Sequence, residues 1–151
     1  GYHRVGFSGV TEPVGMMPAA LQPLRAAAKA ASEKAYSPYS QFPVGAALSL
    51  AGSDQTGPDI LGCNVENVSF SMTVCAERNA LAHAIARGIA PRTLTTLGIY
   101  MPGNKLYSPC GGCRQFIAEI MATDARVYAF CDSDDYREWT LSGLLPDGFD
   151  F

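Results

Sequence analysis

The chain has 151 residues, which suits one domain able to bury roughly 70% of the surface its unfolded form exposes. Hydrophobic residues make up 48% and charged residues 17%, and the formal net charge is −3. With only 11 Lys and Arg, scattered along the chain, there is no basic stripe for a nucleic acid, and no apolar run reaches the ~20 residues a membrane helix needs. A small, roughly neutral ligand fits better, and with nothing directing export the expected compartment is the cytoplasm.

Residues 1–17 carry four glycines and no sustained period, so they read as an N-terminal arm ahead of a single domain over 18–151. The Ala-rich stretch 18–35 places Leu21, Leu24, Ala28 and Ala31 at helical spacing, with Pro23 suited to the first turn. Pro38 and Pro43 mark a bend before a strand at 44–50. Residues 51–59 are turn-forming, with Gly52 to Pro58 as a loop, and 60–67 reads as the hairpin partner strand. A helix is expected over 75–87, stopped by Gly88 and Pro91. Residues 93–101 form a third strand whose lack of alternation points to a central, two-sided position. Then come a short extended piece at 105–108, a loop turning into a helix within 110–122 and a strand at 126–131. The tail ends apolar and aromatic. Strands separated by helices make an α/β domain.

Five cysteines, Cys63, Cys75, Cys110, Cys113 and Cys131, cannot all pair within one chain. Cys110 and Cys113 form a C-x-x-C, and Cys75 lies upstream in C-A-E. A redox pair would need only two thiols, and its titration would follow reductant rather than chelator. Three thiolates without a fourth protein ligand instead describe an open zinc site, because structural zinc is closed by four protein ligands. Cys63, Cys131, His3 and His83 read as spectators. Glu77, two residues from Cys75, can reach water at such a site and shuttle protons, although an acid is also simply favourable in a helix's first turn. The site carries excess negative charge. Helix N-termini at Cys75 and Cys113 would offset it, as would Arg78 if it donates to a sulfur rather than facing solvent. Asn64 and Glu66 fall on one face of a strand by alternation, suited to a vicinal diol or to a strand-end cap.

"TVCAERNAL" with "SPCGGCRQ", "SPYSQFPVGAAL", "GCNVENVSF" and "LLPDGF" resembles the cytidine deaminase family over about residues 24–149. The zinc-deaminase signature is a known pattern, and the absence of H-x-E marks the short-chain, three-cysteine branch. The resemblance implies a three-layer α/β/α sandwich around a mixed central sheet of about five strands. It implies one Zn2+ per subunit on Cys75, Cys110 and Cys113, and a homotetramer with pockets shared between subunits. The implied reaction is hydrolytic deamination of cytidine and 2'-deoxycytidine in pyrimidine salvage. Glu77 would take a proton from the attacking water, pass it to N3 of the pyrimidine and help ammonia leave. The backbone near Ala76 would contact the base, and Phe42 would pack on its face. Asn64 and Glu66 would bind the sugar. Phe149 would close a neighbouring subunit's pocket, with Tyr39 and Phe70 lining the pocket or the subunit contact. Three features depart from the family pattern: the arm 1–17, the longer loop 52–58, and "FSMT" where a glycine-containing turn is expected. The rival readings are a deaminase of another small aminopyrimidine, such as blasticidin S, and a zinc-stabilised domain without catalysis. Glu66, following Asn64-Val65, favours a ribose-bearing substrate over the former.

Overall fold

A computed structural model describes residues 10–11, 16–50 and 60–149. His3, the loop 52–58 and most of the arm 1–17 lie outside the described residues. Nine regular elements follow a short first strand, β1 (Val10–Thr11): α1 (Gln22–Ser32), β2 (Gly45–Leu50), β3 (Ile60–Cys63), α2 (Ala76–Ala86), β4 (Leu94–Tyr100), α3 (Gly111–Ile120), β5 (Arg126–Phe130), β6 (Tyr136–Thr140) and α4 (Leu141–Leu144).

The strands form one sheet in the order β1-β6-β5-β4-β2-β3. Strands β4 and β5 run parallel and every other neighbouring pair is antiparallel. The expected mixed sheet of five strands is therefore β2 to β6. The two-residue β1 extends it, pairing Val10 with Trp139 of β6.

Strand β4 is central and largely buried, as its lack of alternation predicted. Its neighbours explain why. Leu97 and Ile99 pack with Ala46, Leu48, Val127 and Ala129 on the face covered by α2 and α3. Tyr100 packs with Ala47, Phe130, Leu24 and Ala28 on the face covered by α1. Alternate residues thus enter two cores, and neither face can be polar. Each fully buried Leu or Ile contributes about 1.5–3 kcal/mol from area removed from water.

Two glycines set how closely the helices approach. A Cβ on Gly45 would lie 1.8 Å from the Ala28 carbonyl oxygen, so α1 rests directly on β2. A Cβ on Gly62 would lie 2.4 Å from the Ala80 amide nitrogen and 2.6 Å from the Ala76 oxygen, so α2 rests on β3.

Some boundaries differ from expectation. The first helix starts at Gln22 with Pro23 in its first turn, as expected, after a 3-10 turn at Ala19–Leu21, but it ends at Ser32 rather than running to 35. The strand expected over 60–67 ends at Cys63, after which Val65 only bridges Tyr36 and Val74. Strand β6 and helix α4 were not expected. The run Asp132 to Asp135 before β6 is a hairpin-turn signal that could have revealed the strand. Its charged residues hid the pattern, because Trp139 alone in β6 is fully buried.

Candidate metal centre and substrate cavity

Helices α2 and α3 cover the same face of the sheet, and each begins at a cysteine. Cys75 is the N-cap of α2 and Cys110 the N-cap of α3. Cys113, expected to open the second helix, is instead its third residue and is fully buried. Gly111 and Gly112 are the first two residues of α3, with room for a Cβ at each, so the helical turn itself, rather than glycine's freedom, brings Cys113 round to the side of Cys110. The Sγ atoms of Cys75, Cys110 and Cys113 all lie within 4.8 Å of one another. Among the described residues these three make up the donor cluster. Cys131 is buried beside the Ser133 hydroxyl at 3.1 Å, and His83 Nδ1 lies 3.2 Å from the Leu61 carbonyl oxygen.

Hydrogen bonds link the thiols. The Cys113 thiol donates to Cys75, which together with Cys110 and Arg78 brings Cys75 down to about 6 against the opposing effect of burial. Cys113 is pushed well up by the same hydrogen bond and by burial. Arg78 does not face solvent alone: it donates to the Thr73 carbonyl at 2.7 Å and lies against Cys75. A trio of soft sulfur donors at two helix N-termini fits a divalent zinc ion.

Glu77 is 6% exposed, in the first turn of α2. Burial pushes its carboxyl up to about 7, and the charge of Cys75 pushes the same way, while its own backbone N–H and Arg78 oppose. A carboxyl poised near neutrality can both accept and return a proton.

Cys75, Cys110 and the Glu77 carboxyl line a cavity of about 310 Å³, with Cys113 buried behind its wall. Its wall includes Phe42, Asn64, Glu66, Cys75, Ala76, Glu77 and Cys110, so most of the residues singled out from the sequence converge there. It also includes Ile99, Met101 and Tyr107, which were not anticipated. The Tyr107 ring meets Phe42 edge-on, with centroids 6.2 Å apart, and its N–H donates to Met101 Sδ at 3.2 Å. The one signal for Tyr107 was its place three residues before Cys110. Asn64 and Glu66 do not extend β3. Their side chains bond the backbone of residues 39–44, and the hydrogen bonds from Ser40 and Tyr39 hold Glu66 below the usual carboxylate range.

Tyr39 and Phe70 meet edge-to-face at 5.6 Å and line an adjoining cavity of about 420 Å³ with Ser40, Glu66 and Thr73. Phe70 belongs to a 3-10 turn, Phe70–Met72, where "FSMT" departs from the family pattern. Phe149 is absent from the wall of the main cavity. It is 66% exposed, and its carbonyl accepts from Gln115 Nε2 at 3.1 Å.

Residues 19–130 match the family described as the cytidine and deoxycytidylate deaminase zinc-binding region. The chain is 43% identical to a cytidine deaminase of Sporosarcina psychrophila over 85% of this chain and 90% of that one. It is 41% identical to a cytidine deaminase of Halalkalibacterium halodurans, over 79% and 86%. Among solved structures it is similar to the cytidine deaminase of Burkholderia pseudomallei, with a TM-score of 0.76 and 41% identity over 83% of this chain and 96% of that one. The cytidine deaminase of Mycobacterium tuberculosis gives a TM-score of 0.66 at 34% identity, over 85% and 95%.

Proposed function

The chain belongs to the cytidine and deoxycytidylate deaminase family, and on that premise we propose that it hydrolyses the exocyclic amine of cytidine and 2'-deoxycytidine. The products are uridine or 2'-deoxyuridine and ammonia. The observation that carries this reading is one cavity lined by Cys75, Cys110 and the buried Glu77, with Cys113 Sγ behind the wall within 4.8 Å of the other two sulfurs.

Cys75, Cys110 and Cys113 would hold zinc, which when bound supplies the Lewis acidity that makes water a nucleophile at neutral pH. The Glu77 carboxylate would take a proton from the attacking water as its oxygen bonds to C4, and deliver that proton to N3. It would then take the proton of the new C4 hydroxyl and pass it to the amine, so that the C4 carbonyl forms as the C4–N bond breaks and ammonia leaves. Arg78 supports the thiolate of Cys75. The Phe42 ring packs on the pyrimidine, backbone near Ala76 contacts its edge, and Asn64 and Glu66 receive the sugar. Residues 18–151 act as one catalytic unit.

The chain works as a homotetramer in this reading, with Phe149 of one subunit closing the pocket of another and Tyr39 and Phe70 in the subunit contact. The support is apolar exposure near the cavity: Val68 is 77%, Phe70 72% and Met72 65% exposed. The cytoplasm is the compartment that suits five unpaired thiols. No helix among the described residues is long and apolar enough to cross a membrane.

The test is the ultraviolet loss of cytidine with ammonia release by the zinc-loaded protein, alongside light scattering for mass. Absence of turnover overturns the substrate assignment, and a monomer in solution overturns the shared pocket.

A further inference from the structure

We propose that Asn64 and Glu66 are positioning residues for Phe42, holding the loop that carries this aromatic wall as well as facing the sugar. The inference deepens the nucleoside reading above and rests on it. Residues 37–44 run from the Tyr36 bridge to the start of β2 without regular structure. Their backbone groups need partners from elsewhere.

Between 39 and 44, Pro43 has no N–H, leaving five. The N–H groups of Tyr39 and Ser40 both donate to Glu66 Oε1, at 3.0 and 3.1 Å. That of Val44 donates to Asn64 Oδ1 at 2.9 Å. Gln41 N–H reaches the Ser37 carbonyl at 3.0 Å, and Phe42 N–H reaches Ser40 Oγ at 3.1 Å. Three of the five are thus satisfied by two side chains from beyond the end of β3.

Asn64 does more than accept. Its Nδ2 donates to the Phe42 carbonyl at 2.9 Å. One amide therefore grips the chain on both sides of Pro43, supplying the donor and acceptor that a paired strand would otherwise provide. Gln41 sits at φ 53°, a left-handed conformation unfavourable for a residue with a Cβ. The local bonds at Gln41 and Phe42 leave both ends of the loop to these two side chains and to the Asn64 N–H, which donates to the Val44 carbonyl at 3.2 Å. The residues facing the sugar and the ring facing the base are consequently one mechanical unit.

The experiment compares zinc-loaded wild type, Asn64→Ala, Glu66→Ala and Glu66→Gln on cytidine and on 2',3'-dideoxycytidine, which lacks both hydroxyls that a sugar contact would use. If the loop is held as described, KM for dideoxycytidine rises about tenfold in Asn64→Ala and Glu66→Ala with kcat nearly unchanged, the pattern of lost uniform binding. Glu66→Gln, which keeps an acceptor oxygen for Tyr39 and Ser40, recovers most of that loss. Amide exchange without substrate accelerates at Val44 in Asn64→Ala and at Tyr39 and Ser40 in Glu66→Ala. Variants impaired on cytidine yet equal to wild type on dideoxycytidine, with unchanged exchange, overturn the inference, because they act through the sugar alone. Wild type inactive on cytidine overturns the nucleoside reading instead. Where wild type turns over no dideoxycytidine, exchange alone decides: faster in the variants supports the inference, and unchanged refutes it.

Discussion

Cys75 and Cys110 hold equivalent positions on two different helices. Each is the extended N-cap residue, at φ −70° and ψ 155° for Cys75 and φ −64° and ψ 164° for Cys110. Each carbonyl accepts the first helical hydrogen bond, from Asn79 N–H at 3.0 Å and Arg114 N–H at 2.9 Å. Neither side chain caps its own helix. Both sulfurs are left to point at a common place, beside two positive helix ends.

Glu77→Gln separates proton transfer from metal retention. The amide is nearly isosteric but cannot accept and return a proton. The expected outcome is full zinc content with kcat lowered by about a thousandfold or more, the upper range for one acid–base group. Metal analysis beside cytidine turnover checks it, and undiminished turnover removes Glu77 from its assigned role.

Cys113→Ser attacks the donor set at its most buried member. Zinc binding should weaken by more than about 100-fold, since disturbing even a ligand's supporting partner costs up to that much. In wild type, zinc should leave as pH falls, because protons compete for thiolates. A colorimetric chelator titration across pH reads both effects without using activity. Retention of zinc by Cys113→Ser would remove that residue from the ligand set.

Gly62→Ala tests how strand β3 positions the centre. The added Cβ would meet backbone atoms of Ala80 and Ala76 at 2.4 and 2.6 Å, so the start of α2 must move. The expected cost is about 1–3 kcal/mol of stability. Zinc retention should fall too, since Cys75 adjoins the displaced turn. Urea unfolding and zinc content measure the two; a variant matching wild type in both contradicts the close contact.

Tyr100→Phe probes a contact remote from the centre. The Asp132 carboxyl accepts from the Tyr100 hydroxyl and from Gly103 N–H, which hold it below the usual carboxylate range. A lowered carboxylate pKa adds stability above the unfolded-state value, and that stability is lost as pH falls through the folded value. Wild type should therefore exceed Tyr100→Phe in urea midpoint at pH 7, with the gap closing as pH falls below the ordinary carboxylate range. Burial and then the Asp132 bond push the phenol up to about 12, so its own contribution fades only as pH rises above about 10. A gap that stays constant as pH falls below the ordinary carboxylate range would contradict the carboxylate's part.

The two halves of the thiol cluster were legible because each is local: Cys75 and Glu77 share one helix start, and Cys110 and Cys113 another. Bringing the two helix starts to one place is the work of the fold. Helix, strand and turn signals were similarly local, and the central place of β4 showed in its lack of alternation. Strand β6 escaped notice because most of its residues are only half-buried, leaving little alternation to read.

The amino-acid sequence by itself determined the chemistry available: three thiols, one acid and the elements that carry them. Only the tertiary structure decided that Asn64 and Glu66 grip the Phe42 loop, and that Tyr107 and Met101 join the cavity wall. It also put Cys110, rather than Cys113, at the helix start. The physical reason is reach. A ligand spacing is set by bonds within a few residues, whereas a loop's hydrogen-bond partners and a cavity's wall depend on which distant segments the sheet order brings side by side.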